Sequence, residues 1–238
     1  MGRAFEVRKA SMAKTAAAKV KVYSRYGKEI YIAAKSGEPN PEMNVELARI
    51  IEKAKADQVP SDIIKRAIDK AKGGADDHYD SLRYEGFGPG SSTIIVDCLT
   101  NNTNRTFGEV RNCFTKTNSK VGVNGSVSHA YDQVGILTFN ANDEDEILEV
   151  LLMADVDVIE IESDEDEISA IVNPKDLYLA KEVLEKELNI KDFLTLEIAM
   201  LAHEHQKLNE EDQRQFDKLL SMLDDCEDVQ NVYHNITL

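Results

Sequence analysis

The stretch from Val134 to Met200 constrains the fold most, because its hydrophobic pattern changes period in a recognisable order. A strand is predicted at 135–139, a helix at 143–154 behind Asn142 as cap, and a strand at 156–162. After an acidic turn at 163–167 come a strand at 168–172, a helix at 174–188 and a strand-like run at 193–200. The order β-α-β-β-α-β is that of a ferredoxin-like split β-α-β unit, in which two helices cover one face of an antiparallel sheet.

The flanking segments are organised differently. Residues 1–36 read as helical, Ala-rich at first, with Gly37 as a stop. Asn40 and Pro41 suit the cap and first turn of a second helix carrying Leu47, Ile50, Ile51 and Ala54 at spacings of three and four. Ser61 is a candidate cap for a third, with Ile64, Ala67, Ile68 and Ala71 as its apolar stripe up to Gly73 and Gly74. Residues 73–80 read as a linker. A strand at 93–99, a helix at 104–117 and a strand at 121–131 then form a β-α-β unit without a closing half. The tail supplies a helix at 210–223, capped by Asn209, and a strand at 229–236. Neither can bury its apolar face alone. The expected architecture is α+β: a helical bundle over residues 1–75, a discontinuous domain from 81–131 plus 204–238, and the ferredoxin-like domain inserted into it at 132–203.

Charge is distributed as unevenly as period. The chain carries 28 Lys plus Arg against 44 Asp plus Glu, a net of −16, which argues against a nucleic-acid binder until it is divided. Residues 1–35 hold Arg3, Arg8, Lys9, Lys14, Lys19, Lys21, Arg25, Lys28 and Lys35 against Glu6 and Glu29, a net of +7. Residues 131–200 hold 20 acids and 4 bases, a net of −16. A solvated helix surface normally mixes signs, so an unmixed basic stretch interleaved with Phe5, Tyr23, Tyr26 and Tyr31 points to a polyanion. Arg105, Arg111 and Lys116 are candidate extensions of that surface. The acidic lobe is expected to face away from phosphate or to meet a basic protein.

Other chemistry is weakly signalled. Gly86-Phe87-Gly88-Pro89-Gly90 lacks the following Lys-Ser or Lys-Thr of a phosphate loop, and Pro89 removes a donor, so a tight turn is expected. The acidic clusters at 143–146 and 164–167 match no Ca²⁺ loop. His203-Glu204-His205 has no obvious third ligand. Cys98, Cys113 and Cys226 fit neither a disulfide framework nor a CxxC metal site, and read as free thiols. No catalytic constellation stands out, so the expectation is a protein that is not an enzyme and has no cofactor or metal. Its longest apolar runs fall short of the ~20 residues of a membrane helix, and its charged N-terminus is unlike a secretory signal. A cytoplasmic protein without membrane attachment is expected.

Several motifs are familiar. Glu52-Lys53-Ala54-Lys55, Val59-Pro60 and Ala67-Ile68-Asp69-Lys70-Ala71-Lys72-Gly73-Gly74 are joined by Tyr84-Glu85-Gly86-Phe87-Gly88-Pro89-Gly90, Asn104-Arg105-Thr106, Gly125-Ser126-Val127-Ser128 and Asp228-Val229-Gln230-Asn231-Val232-Tyr233-His234-Asn235. With these the chain resembles the YebC/PmpR family over essentially its whole length. Gly2-Arg3-Ala4-Phe5, where the family commonly opens Gly-His-Ser-Lys-Trp, is most similar to the YeeN-type branch. The resemblance implies three domains and a cytoplasmic, non-enzymatic, nucleic-acid-binding regulator of gene expression. Members are described as DNA-binding transcriptional regulators, and as ribosome-associated translation factors contacting ribosomal RNA, including a mitochondrial activator of cytochrome oxidase synthesis. A protein-interaction adaptor working through the ferredoxin-like unit is the alternative from another class.

Overall fold

The computed structural model describes residues 18–73, 78–164 and 166–237, with side chains from residue 21 onward. Three helices open it: α1 (Ala18–Ser36), α2 (Val45–Ala56) and α3 (Ser61–Lys72). On α1, Tyr26, Ile30, Ala33 and Ala34 recur at helical spacing and are buried against Leu47, Ile51 and Ala54 of α2 and Ile64 and Ala67 of α3. Burying one such large side chain stabilises by about 1.5–3 kcal/mol, so the shared stripe holds in place α2 and α3, each 12 residues long and marginal alone.

The start of α2 corrects the expected cap. Asn40 closes a separate turn, its Oδ1 accepting the Glu42 amide at 3.1 Å and its carbonyl the Met43 amide at 3.0 Å. Asn44 caps the helix, accepting the Leu47 amide at 3.0 Å, and its Nδ2 donates to Ala33 O at 2.8 Å, tying the end of α1 to the start of α2. The start of α3 has no side-chain cap bond, Pro60 standing at the cap position before Ser61.

Two four-stranded sheets follow. The first contains β1 (Asp80–Phe87), β2 (Thr93–Thr100), β3 (Lys120–Val121) and, from the chain's far end, β8 (Val229–His234), in the order β3-β1-β2-β8. Helices α4 (Thr103–Thr115) and α7 (Glu210–Asp224) belong to it, with Ile94, Val96, Val110, Phe114, Phe216 and Leu219 in its core. The second sheet has the order β5-β6-β4-β7, all antiparallel, from β4 (Tyr131–Asn140), β5 (Val158–Asp164), β6 (Glu167–Val172) and β7 (Phe193–Ala202). Helices α5 (Glu144–Met153) and α6 (Leu177–Glu187) cover one face over Leu137, Phe139, Ile147, Leu151, Ala180 and Leu184. Asp143, rather than Asn142, caps α5 by accepting the Glu146 amide at 3.0 Å.

Strand β1 covers residues 81–85, for which no element was expected, and takes in the last residue of the expected linker, Asp80, and the first two of the expected glycine turn, Gly86 and Phe87. It alternates polar with apolar residues, and Gly86, which pairs with Ile94, is there because any Cβ would lie 2.5 Å from the Phe114 ring and 2.7 Å from Lys120 O. Gly88 to Ser92 is then the hairpin loop, closed by Gly88 N to Ser92 O at 2.7 Å. The expected strand at 121–131 stops at Val121. The buried Glu85 carboxylate explains why: the amides of Gly125, Val127 and Ser128 donate to it at 2.8, 2.7 and 2.9 Å, curling that segment around one side chain. Burial raises the Glu85 pKa, but these backbone N–H groups outweigh it and hold the carboxyl below its ordinary value.

The remaining face of the second sheet is not left to solvent. Val134, Ile136, Ile171, Ala199 and Leu201 are buried there with Tyr233 of β8 packed against them, and at the end of the sheet Tyr131, Met200 and Ala202 pack with Ile95 of β2, Tyr131 donating its hydroxyl to Thr93 O at 2.8 Å.

Candidate nucleic-acid interface and the Asp228 junction

The candidate cations are divided by the fold into three groups. Arg3, Arg8, Lys9 and Lys14 lie outside the described residues, as does the side chain of Lys19. Lys21, Arg25, Lys28 and Arg105 converge on one structural junction. Lys35, Arg111 and Lys116 are exposed at the surface.

The junction follows from helical spacing. Positions 21, 25 and 28 share one side of α1, and that side meets the turn between α7 and β8. Lys21 Nζ lies 2.6 Å from Asp225 Oδ1 and 3.7 Å from Asp224 Oδ2. Arg25 Nη1 donates to Gln230 O at 2.9 Å. Deepest is Lys28, whose Nζ donates to Asp228 Oδ1 at 2.8 Å and to Glu227 O at 2.9 Å. From the other side Arg105 Nη2 reaches Asp228 Oδ2 at 2.6 Å, joined by the hydroxyls of Thr106 at 2.8 Å and Thr100 at 3.0 Å.

Asp228 is therefore a buried carboxylate held by two cations and two hydroxyls from three parts of the chain. Burial alone would raise its pKa, but hydrogen bonds from Arg105, Lys28 and Thr106 hold the carboxyl far below the usual carboxylate range. The Arg105 pKa is raised by the same bond to Asp228, and that of Lys21 by its bond to Asp225. An arrangement this well satisfied fixes the bundle against the first sheet. It also means that Lys28, one of the expected phosphate contacts, has its charge directed inward, with its side chain only 14% exposed.

The exposed group is differently placed. Lys35 lies 6.0 Å from the Tyr31 ring centroid, and Lys70 of α3, which sequence reasoning passed over, lies 5.1 Å from the same ring. Tyr31 is itself buried, so it anchors these cations and offers no face for base stacking. Arg111 is on the outer side of α4 and Lys116 caps its end; both are exposed, and neither makes an ion pair among the described residues.

The acidic lobe does not stand wholly apart from the basic bundle. Lys181 of α6 lies 2.7 Å from Glu52, Lys53 lies 3.4 Å from Glu197, and the Arg49 guanidinium sits 3.7 Å over the Tyr178 ring. Helix α2 thus rests on α6 and β7. His203 pairs with Asp132 at 3.1 Å, and among the described residues no three His, Cys, Asp or Glu side chains gather as a metal site. No helix among them is long and apolar enough to cross a membrane.

The residues that sequence reasoning missed are the acceptor Asp228 and the Thr100 and Thr106 hydroxyls that donate to it. Their signal was present: Arg105-Thr106 and Asp228 both stand inside recognised motifs, although nothing linear says that they meet.

Comparison with known proteins covers nearly the whole chain. A crystal structure of a conserved hypothetical protein from Aquifex aeolicus superposes with a TM-score of 0.79 at 32% identity, covering 94% of this chain and 92% of that one. A protein of Alteromonas mediterranea, named a probable transcriptional regulatory protein, is 52% identical over 99% of this chain and 98% of its own length. One from Hydrogenovibrio crunogenus with the same name is 52% identical over 100% of both. Residues 3–74 match the TACO1/YebC protein N-terminal domain and residues 79–236 match the TACO1/YebC second and third domain, so the chain belongs to the TACO1/YebC family.

Proposed function

We propose that the protein is a cytoplasmic regulator of gene expression that acts by binding nucleic acid rather than by catalysis. The observation that carries this reading is the segregation of charge, +7 over residues 1–35 against −16 over residues 131–200, in a family whose relatives are named probable transcriptional regulatory proteins. The contacts are assigned to Arg3, Arg8, Lys9, Lys14 and Lys19, together with the exposed Lys35, Arg111 and Lys116. Lys21, Arg25, Lys28 and Arg105 serve the binding surface indirectly, by setting how the bundle sits.

One observation favours structured RNA, such as ribosomal RNA, as a second reading. Lys21, Arg25 and Lys28 of α1 are engaged by the turn between α7 and β8 rather than free to enter a major groove, and recognition by phosphate and shape suits RNA as well as duplex DNA. Gel shifts on promoter DNA and sedimentation with ribosomes, each over a range of salt, separate the two. Charge reversal at Arg3, Arg8, Lys9 and Lys14 is expected to weaken binding and flatten its salt dependence by about one unit of slope per lost phosphate contact. Unchanged binding to both targets would refute the proposal.

A further inference from the structure

Two cysteines far apart in the chain lie together beside the Asp228 junction. Cys113 is on α4 and Cys226 follows the Asp225 cap of α7; both are free, and their Sγ atoms are 3.7 Å apart. Cys113 is buried, while Cys226 is half-buried in the turn that carries Asp225, Glu227 and Asp228. We propose that Cys113 and Cys226 form a modification site, a pair of thiols that a hydroperoxide oxidises to an intrachain disulfide, locking α4 to the turn that holds α1.

The geometry asks for little movement. A disulfide needs its sulfurs about 2.0 Å apart, so they must close by less than about 2 Å, and Cys226 sits in a turn where side-chain rotation can supply it. The chemistry is also favourable. The hydrogen bond between the two thiols lowers the pKa of Cys113, which biases one sulfur of the pair toward the thiolate that reacts. Cys98 provides an internal contrast: buried in β2, its thiol is pushed up to about 12, chiefly by that burial.

The reaction balances without a further participant. One thiolate attacks an oxygen of hydrogen peroxide, the O–O bond breaks, and the departing hydroxide takes up the thiol's proton as water, giving a sulfenic acid. The second sulfur displaces hydroxide from it, its own proton going to that hydroxide as a second water, and the S–S bond forms. Two electrons pass from the sulfurs to the peroxide. Where the surroundings are reducing, such a bond is transient, as suits a sensor. Once formed, it would brace the acceptors of Lys21 and Lys28 against the helix that carries Arg105.

The test uses the full chain with a small excess of hydrogen peroxide, followed by thiol titration after denaturation and peptide mapping without reductant. Free thiols are expected to fall from three to one, with the Cys113 and Cys226 peptides linked, Cys98 untouched and dithiothreitol restoring all three. The Tm should rise on oxidation and return on reduction. In the Cys226→Ser variant the two remaining thiols should give no intrachain link. Three thiols surviving in the native chain, a link through Cys98 or between chains, or an unchanged Tm after oxidation would each overturn the proposal.

Discussion

The two sheets solve the same burial problem by opposite means. In the sheet β5-β6-β4-β7 the core is apolar, and its buried polar side chains, Thr138 and Ser169, satisfy each other at 2.9 Å. In the sheet β3-β1-β2-β8 the apolar core is accompanied by buried Glu85, Thr100, Thr106, Asp228 and Gln230. The second sheet is made from one continuous stretch, so neighbouring elements find each other through short connections. The first collects strands from both sides of that stretch and must also hold a helical bundle. Non-directional apolar contact is a poor guide to which distant segment should dock where. A carboxylate satisfied only when Lys28, Arg105, Thr106 and Thr100 all arrive is a selective one, and that is the lesson of the contrast.

The sharpest way to break the contrast is Asp228→Ala. It leaves two cations and two hydroxyls facing a gap, and should cost about 3–5 kcal/mol, read by urea unfolding, with faster proteolysis of the bundle as the local signature. Leu151→Ala in the apolar core should cost about 2–5 kcal/mol through the cavity it leaves, while bundle proteolysis stays at the native rate. Equal loosening of the bundle by both changes would erase the distinction drawn here.

Acid should separate two groups of the first sheet. His234 packs edge-on against Phe216 at 5.1 Å and its Nδ1 accepts the Ile236 amide at 3.3 Å; burial, helped by His205, pushes its pKa down to about 4. An unfolded histidine binds its proton near ~6.5, so this stabilisation is complete above that pH and is lost as pH falls toward 4, by on the order of 1–3 kcal/mol. The depressed carboxyl of Asp228 likewise stabilises above ~3.9 and fails only as pH drops below it. Unfolding midpoints against pH should therefore show His234→Phe removing the upper limb and Asp228→Asn the lower one.

The smallest effect is expected at the rim. Asp225→Asn removes the nearer of the two carboxylates of Lys21, but these side chains are 74% and 39% exposed, so solvent screening leaves less than about 1 kcal/mol. A larger loss would mean that the polar docking is cooperative well beyond Asp228, measurable by a double-mutant cycle with Lys21→Met.

Much of this was legible in the linear pattern, and the failures have physical causes. The helices of the bundle and the strand and helix order of residues 134–200 could be read because apolar residues repeat at helical or alternating periods. Strand β1 was missed because Asp80, Ser81, Arg83 and Glu85 break any apolar run, and what makes it a strand is pairing with β2. The strand expected at 121–131 was lost to Glu85, a carboxylate some forty positions away whose three amide partners bend the chain. The cap at Asn44 was misplaced because Asn40 offers the same side chain to a turn.

The site was legible as a set of charges and not as a surface. By itself the sequence determined the helices of the bundle, the element order of residues 134–200, the polarity of the chain, and its family. Composition and periodicity are local properties, and local physics suffices for them. Tertiary structure decided which cations remain at the surface, that Lys28 and Arg105 share one buried acid, and that Cys113 meets Cys226. Those pairings are set by distances between residues remote in the chain, and the free energy of a charge or thiol depends on what surrounds it in space.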